Sequence, residues 1–178
     1  YRRFEAFAKK TLTVINCTFD VPAAGDTSGQ ALLAAIIRIK KEAEDAVRSG
    51  TENVVLSDLN VSEDRASVPM ILATAAVQQR LKETGLQSSC SIIVRSAECL
   101  DTHYFAVLIG TGATAVNAYM AEASVQDRVR RGLVELSVDE AVANYKKAIE
   151  GGLLKIISKM GISVISSYRG GLNFEALG

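Results

Sequence analysis

The chain has 178 residues, 48% of them hydrophobic, and its 20 Lys and Arg residues balance its 20 Asp and Glu residues. This composition excludes a disordered or collagen-like chain, and the length suits one domain with a sizeable core. The zero net charge argues against a dedicated nucleic-acid binder, and the single His, His103, excludes a His-rich metal site. No apolar run reaches the roughly 18 residues that a membrane span needs.

The first elements alternate between strand and helix. The β-branched run at 12–15 predicts a buried strand. Thr27 and Gln30 form a capping-box pattern, and apolar residues at steps of three and four then predict a helix that ends at Gly50. Residues 53–56 predict the second strand.

The alternation continues through the middle of the chain. Pro69 suits the first turn of a helix that runs to about residue 84. Residues 91–94 predict the third strand, 102–109 a shorter helix, and 115–117 a weaker fourth strand.

Helical patterns dominate the last third of the chain. Ser137 and Glu140 form a second capping box, and we expect the glycine pair at 151–152 to break or kink the helix that they open. Three further elements follow in order: a helix over 153–160, a fifth strand over 162–165, and a last helix ending at Gly178.

Apolar strands that alternate with amphipathic helices predict an α/β fold with a mainly parallel sheet and right-handed crossovers. Such strands form either an open doubly wound sheet or part of a (β/α) barrel. In both architectures the polar groups at the carboxyl ends of the strands line the functional face. These groups are 16–18, 57–58, 95–96, 117–119 and 166–169.

Individual motifs favour structural roles. Gly110-Thr111-Gly112 follows a helix and precedes a strand, so a helix-ending turn is favoured over a phosphate loop. His103 lies at a helix start, which favours a structural or surface role over a general base. Asp58 ends a strand, and loop ordering is favoured over proton transfer.

The cysteines and the arginine cluster also favour structural roles over catalytic or binding roles. Cys17, Cys90 and Cys99 form no CxxC pair, which predicts reduced cysteines in the core rather than reactive thiols. The acidic and basic residues at 127–131 are interpreted as solvated ion pairs, with contact to a partner domain as the alternative.

The stretch from Gly152 to Ser163 reads GLLKIISKMGIS, and SYRG and FEA follow it. This sequence closely resembles the large chain of glutamate synthase, which carries a GLLK-(I/V)-MSKMGIS block where its central domain meets its FMN domain. Ile157 stands where Met is usual in that family. Weaker matches occur upstream in the same order, among them LSD at 56–58, HYFA at 103–106 and AVNAY at 115–119.

The resemblance implies an incomplete (β/α) barrel of the FMN-linked oxidoreductase type. The family converts glutamine and 2-oxoglutarate into two glutamates, in ammonia assimilation and glutamate biosynthesis. An amidotransferase domain releases ammonia, which crosses a tunnel to FMN, and a [3Fe-4S] cluster delivers electrons from a donor subunit or ferredoxin. Residues 1–178 resemble most of the central domain, and no cofactor or metal is expected within them.

The resemblance therefore predicts one domain at 1–178, a connecting segment that is inactive by itself within a parent oxidoreductase. The beginning at Tyr1 without Met and the ending at Gly178 are expected to be cuts in a longer chain. We expect a cytoplasmic or plastid location, no membrane and no nucleic acid.

Two groups of residues carry the predicted functions. The ammonia path is assigned to strand-end polar residues: Asn16, Thr18, Ser57 and Asp58. The segment 152–178 is expected to abut the FMN domain, with an exposed apolar patch and these docking residues: Lys155, Ser158, Lys159, Met160, Ser163, Tyr168 and Arg169. The alternatives are a free-standing (β/α) enzyme that uses Asp58 or Lys155 as acid or base, and a free-standing interaction module.

Overall fold

The computed structural model describes residues 11–21, 28–171, 173–175 and 177, with Ser28 described by its backbone alone. The strands are β1 Leu12–Asn16, β2 Thr18–Asp20, β3 Asn53–Ser57, β4 Arg65–Ser67, β5 Ser91–Arg95 and β6 Ala115–Asn117. The helices are α1 Ser28–Arg48, α2 Met70–Glu83, α3 Thr102–Thr111, α4 Tyr119–Arg130, α5 Val138–Lys159 and α6 Ile165–Tyr168. None of the helices in this described part is long and apolar enough to cross a membrane.

Four strands form a parallel sheet whose spatial order, β1-β3-β5-β6, follows the chain. Sequential order with right-handed crossovers places the connecting helices on one face, as in a sector of a (β/α) barrel. The predicted α/β class with a mainly parallel, barrel-like sheet is confirmed. A separate antiparallel pair, β2 with β4, lies beyond the carboxyl ends of β1 and β3.

The core lies between the sheet and its helices. Alternation along a strand directs Ile15, Leu56 and Val94 to the same face, and all three are buried in one apolar cluster with residues of α1, α2 and α3. The helix side of that cluster includes Ile39 and Val77. The alternate residues of each strand, among them Asn16 and Ser57, lie on the opposite face of the sheet.

Four predicted strands and the helices over 69–84 and 102–109 are confirmed within a few residues. Gly50 and Gly112 have positive φ of 92° and 129°, as expected for residues that follow helices, so the GxG is a helix-ending turn. The Ser137–Glu140 capping box is present, with both reciprocal hydrogen bonds. The first capping box includes Thr27, which lies outside the described residues.

Three predictions about the last part of the chain are wrong. Residues 162–165 form no strand, because the Ile162 amide donates to Ile157 C=O (3.1 Å) and closes α5 together with Gly161, whose φ is 71°. Helix α5 also runs without a break through Gly151 and Gly152. The last helix ends at Tyr168, and the described residues after it are not helical.

The glycine pair is tolerated in α5 because one member permits a close helix contact. A Cβ on Gly152 would lie 2.6 Å from Thr102 Cγ2, whereas a Cβ on Gly151 would meet nothing within 4 Å. Gly152 therefore lets α5 approach the start of α3. This close contact accounts for Gly152 within an unbroken helix, where propensity alone predicts a break.

Candidate functional site

The carboxyl ends of the parallel strands place polar side chains in one row. Asn16, Ser57, Arg95 and Asn117 are register partners across β1, β3, β5 and β6. Adjacent strands lie about 4.8 Å apart, so the row is continuous, and alternation directs it away from the helix-facing core. The expectation that strand-end polar groups share one edge holds for the groups that begin at 16, 57, 95 and 117. It is wrong for 166–169, because no strand precedes these residues and most of them belong to α6.

Asp58 follows β3 and is only 1% exposed. Its Oδ2 accepts hydrogen bonds from the Ala97 amide (2.8 Å) and Ser96 Oγ (3.2 Å), and its Oδ1 accepts one from the Tyr119 hydroxyl (3.0 Å). A buried carboxylate requires such donors, and here they come from the end of β5 and the start of α4. Asp58 therefore ties three elements together, as the loop-ordering interpretation expects.

Tyr119 completes this network from the first turn of α4. Burial, reinforced by the negative charge of Asp58, raises the pKa of the Tyr119 phenol to about 12. The Arg95 guanidinium carbon lies 5.8 Å from the centre of the Tyr119 ring. At neutral pH the phenol stays protonated and donates to Asp58, so the pair holds the strand ends in place instead of exchanging a proton.

Asn16 and Thr18 order the turn between β1 and β2. Asn16 Oδ1 accepts hydrogen bonds from the Thr18 amide (3.2 Å) and Thr18 Oγ1 (3.0 Å). Arg65 Nε donates to Thr18 Oγ1 (3.1 Å), and Arg38 Nη2 donates to the carbonyl groups of Asn16 (2.9 Å) and Thr18 (3.0 Å). Two arginines from α1 and β4 thus fix this turn.

Ser57 lies between these two networks. It pairs in register with Asn16 and directly precedes Asp58, and its Oγ accepts a hydrogen bond from the Leu59 amide (3.3 Å). The four residues predicted for the ammonia path therefore lie on two adjacent strand ends. Ser57, Thr18 and Asp58 are buried, and Asn16 is half-buried.

Sequence reasoning missed several members of the networks as site residues. Ser96 and Tyr119 were grouped only by strand-end position, although Ser96 follows β5 as Asp58 follows β3. Arg38 gave no signal, because its position on α1 indicates only a helix surface. Glu98 gave none either: its Oε2 accepts from the Met70 amide (3.0 Å) and from the Tyr104 hydroxyl, and so caps α2 from the β5–α3 loop.

Nucleophile chemistry has no support among the described residues. Burial raises the pKa of Cys17 and of Cys99 to about 12, and it also raises the pKa of Cys90. These thiols stay protonated and are poor nucleophiles. His103 is exposed on α3 and stacks edge-on with Phe174, 6.3 Å between ring centres. No group of His, Cys, Asp or Glu in the described part could hold a metal ion.

Most of the predicted docking residues are exposed at the end of α5 and beyond it: Lys155, Ser158, Lys159, Met160, Ser163 and Arg169. Exposed apolar side chains accompany them, with Leu154 at 66%, Val164 at 55% and Ile165 at 52%. Individual apolar side chains are therefore exposed near the end of the described chain, where an apolar patch is expected.

Tyr168 does not belong to this exposed set. It is 2% exposed, packs with Ala106 and Ile157, and its hydroxyl donates to Ala106 C=O (3.1 Å). The apolar ring buries more favourably against α3 than in water, and the hydroxyl retains a partner there. Its assignment to domain docking is corrected to internal packing of the last segment against α3.

Comparison with known proteins agrees with this architecture. The family model for the glutamate synthase central domain matches residues 2–178. The NADPH glutamate synthase large chain of Azospirillum brasilense is 52% identical over all of this chain and 12% of its own length. The Bacillus subtilis NADPH large chain is 43% identical over 77% of this chain and 9% of its own length. The chloroplastic/mitochondrial ferredoxin-dependent glutamate synthase 1 of Arabidopsis thaliana is 41% identical over 93% of this chain and 11% of its own.

One solved structure has the same fold at low sequence identity. DHODH from Eimeria tenella, in complex with ferulenol, superposes with a TM-score of 0.55 and 14% identity, over 92% of this chain and 38% of that chain. This likeness supports the barrel-like fold alone. The chain spans about a tenth of the length of the curated relatives above. From the match over residues 2–178 and the identities of 41–52%, the chain belongs to the glutamate synthase central domain family.

Proposed function

We propose that this chain is the connecting domain of a glutamate synthase large chain, placed between the amidotransferase site and the FMN site. The observation that carries the proposal is the family match over residues 2–178, in a chain that spans only 9–12% of the large chains quoted above. The parent enzyme makes two glutamates from glutamine and 2-oxoglutarate, with FMN and an iron–sulfur cluster bound outside these residues.

The domain does not select the electron donor. One relative named for NADPH, one named for NADH and one named for ferredoxin match this stretch at 52%, 41% and 40% identity. A part common to three donor classes serves a step that they share. The passage of ammonia between the two sites is such a step.

The strand-end row supplies a wall for that passage. Asn16 and Ser57 are neutral neighbours on the face turned away from the helices, and Thr18 donates its amide and its hydroxyl to Asn16 Oδ1. Ammonia reacts through its lone pair, which protonation removes. Neutral Asn16 and Ser57, with the cation of Arg95 next in the row, disfavour ammonium and so preserve the nucleophile. The Asp58 carboxylate is consistent with this role because its charge is buried and held by three donors.

The exposed end of α5 is the docking face for the FMN domain. Leu154, Val164 and Ile165 form its apolar part, and Lys155 and Lys159 lie on the polar rim of the same helix. An apolar centre with a charged margin is typical of an interface between domains.

Asn16→Asp in the full-length large chain tests the path. The exchange keeps the shape and the oxygen that accepts from Thr18, but adds a negative charge that favours ammonium. We expect more glutamine hydrolysed per glutamate formed, while the exposed Asn144→Asp control keeps the parent ratio. Equal ratios in the two variants would remove Asn16 from the path.

A second measurement separates the connecting role from the alternatives. Residues 1–178 alone are mixed with FMN, glutamine and 2-oxoglutarate. We expect neither flavin retention on gel filtration nor glutamate formation. Turnover by this segment would instead support a free-standing (β/α) enzyme acting through strand-end residues.

A further inference from the structure

Within the part of the chain that the structure describes, the parallel sheet has an open edge at β1. Among the described strands β1 pairs only with β3. The Cys17 amide donates to Ser57 C=O (2.8 Å), so the alternate residues of β1 direct their backbone groups toward β3. Leu12, Val14 and Asn16 therefore direct theirs away from β3.

The open edge has a defined length. The outward carbonyl of Asn16 accepts from Arg38 Nη2 (2.9 Å), which closes the carboxyl end of the edge. The outward amide and carbonyl groups of Leu12 and Val14 have no partner strand among residues 11–21, 28–171 and 173–175, and together they match the hydrogen bonds of one short strand. Exposed backbone groups of this kind are a template for pairing with another strand.

The face opposite the helices is exposed at both edge strands, at Val14 of β1 and at Ala115 of β6. Val14, Val55, Ile93 and Ala115 form one register row on that face. Val55 and Ile93, in the two central strands, are 0% and 5% exposed, whereas Val14 is 50% exposed. Parallel sheets are found almost only with both faces covered, and barrel interiors are filled by branched side chains such as these.

We propose that β1 pairs in the intact protein with a further parallel β-strand that the same large chain supplies from outside residues 1–178. The proposal rests on the proposed function only in placing this segment in a longer chain. That chain is available, since the relatives are several times longer than the matched segment. The added strand places branched apolar residues next to Val14 and extends the sheet as the next strand of a (β/α) barrel.

A second copy of this chain fits the edge less well. A two-fold axis at the edge would pair β1 with β1 of the other copy in antiparallel orientation. Every strand of the present sheet is parallel and follows sequential order, which a further parallel strand of the same polypeptide continues.

Hydrogen exchange on the unmodified full-length large chain tests the pairing. We expect the Leu12 and Val14 amides to exchange at least about 100-fold more slowly than unprotected amides. Exchange at the unprotected rate would overturn the proposal. Protection that disappears on dilution, together with dissociation of an oligomer, would assign the edge to a second copy and would also overturn it.

Paired substitutions in the full-length chain test the covered face. Val14→Lys, at a residue 50% exposed in this domain, is compared with Ile37→Lys on the outer face of α1, which is 59% exposed. We expect Val14→Lys alone to lower the melting midpoint and to raise the exchange rate of the Leu12 amide. Equal behaviour of the two variants would contradict a covered Val14. Both measurements are independent of the ratio of glutamine hydrolysed to glutamate formed, so the strand and the ammonia path can fail separately.

Discussion

The two adjacent glycines of α5 should respond to alanine with opposite signs. Both lie inside one continuous helix, where Gly→Ala stabilises by about 1 kcal/mol through backbone entropy and helix propensity. Gly151→Ala should show this gain, because its new Cβ meets nothing within 4 Å. At Gly152 the new Cβ would lie 2.6 Å from Thr102 Cγ2, 2.8 Å from Oγ1 and 3.2 Å from Cβ.

Rotation of Thr102 relieves this contact only in part, because Cγ2 and Oγ1 occupy two of the three positions on its Cβ and every staggered rotamer leaves at least one of them facing the new Cβ. Overpacking of this kind costs about 1–3 kcal/mol, so the two variants should differ in unfolding free energy by about 2 kcal/mol. At a urea m-value of about 2 kcal/mol/M, their midpoints should differ by about 1 M. Circular dichroism at the helical band follows the transition.

A third variant assigns the cause of the difference. Thr102→Ala removes the two nearest atoms and leaves Cβ at 3.2 Å, so it should recover most of the loss in the Gly152→Ala background. The reasoning is refuted if Gly152→Ala stabilises as much as Gly151→Ala, or if Thr102→Ala recovers nothing.

Three further predictions concern the strand-end network and the docking face. Tyr119→Phe should lower the unfolding free energy by about 1.5 kcal/mol, because Asp58 loses a hydrogen-bond donor. The control Tyr145→Phe should lower it by about 0.5 kcal/mol, because that hydroxyl donates to a carbonyl at an exposed site (3.3 Å). Similar urea midpoints for the two variants would contradict this. The raised pKa of Tyr119, about 12, favours its protonated folded form, so its contribution is complete below the unfolded pKa of about 10 and is lost as the pH rises to 12. Tyr119→Phe should therefore flatten the fall in stability over that range, and an unchanged slope would refute the assignment. Leu154→Glu, at 66% exposure, should reduce glutamate synthesis by the full-length chain, whereas Leu133→Glu, at 65%, should not; equal activities would remove Leu154 from the interface.

Local pattern was sufficient for the elements that carry a strong periodic signal. The apolar runs of β3 and β5 and the stripe of α1 needed no tertiary information, because burial on one or both faces dictates their residue types. Helix α4 was not predicted because its sequence has little apolar periodicity. Among its described residues only Ala121 is buried. The strands β2 and β4 were not predicted because their short sequences, TFD and RAS, contain no apolar β-branched residue, whereas β6, of the same length, contains Val116.

The site shows the same division between local and distant information. That Asp58 and Ser96 follow strands is visible in the chain, and parallel pairing then places them at one edge. Two contacts depend on how the elements pack: Tyr119 donates to Asp58 across 61 residues, and Arg38 reaches the Asn16 carbonyl of β1 from a helix. No local pattern encodes which distant donor satisfies a buried acceptor.

By itself the sequence determined the alternation of strands and helices, the parallel barrel-like class and the family. Hydrophobic periodicity and a specific motif are local properties, so both can be recognised in the sequence without knowing how the chain packs. Tertiary structure alone decided that residues 162–165 close a helix, that Gly152 serves a helix crossing, that Tyr168 is internal, and that Val14 remains half exposed at an open edge. These outcomes depend on which surfaces of the fold come into contact. The free energy of each local conformation is set by contacts with residues that are distant in the sequence.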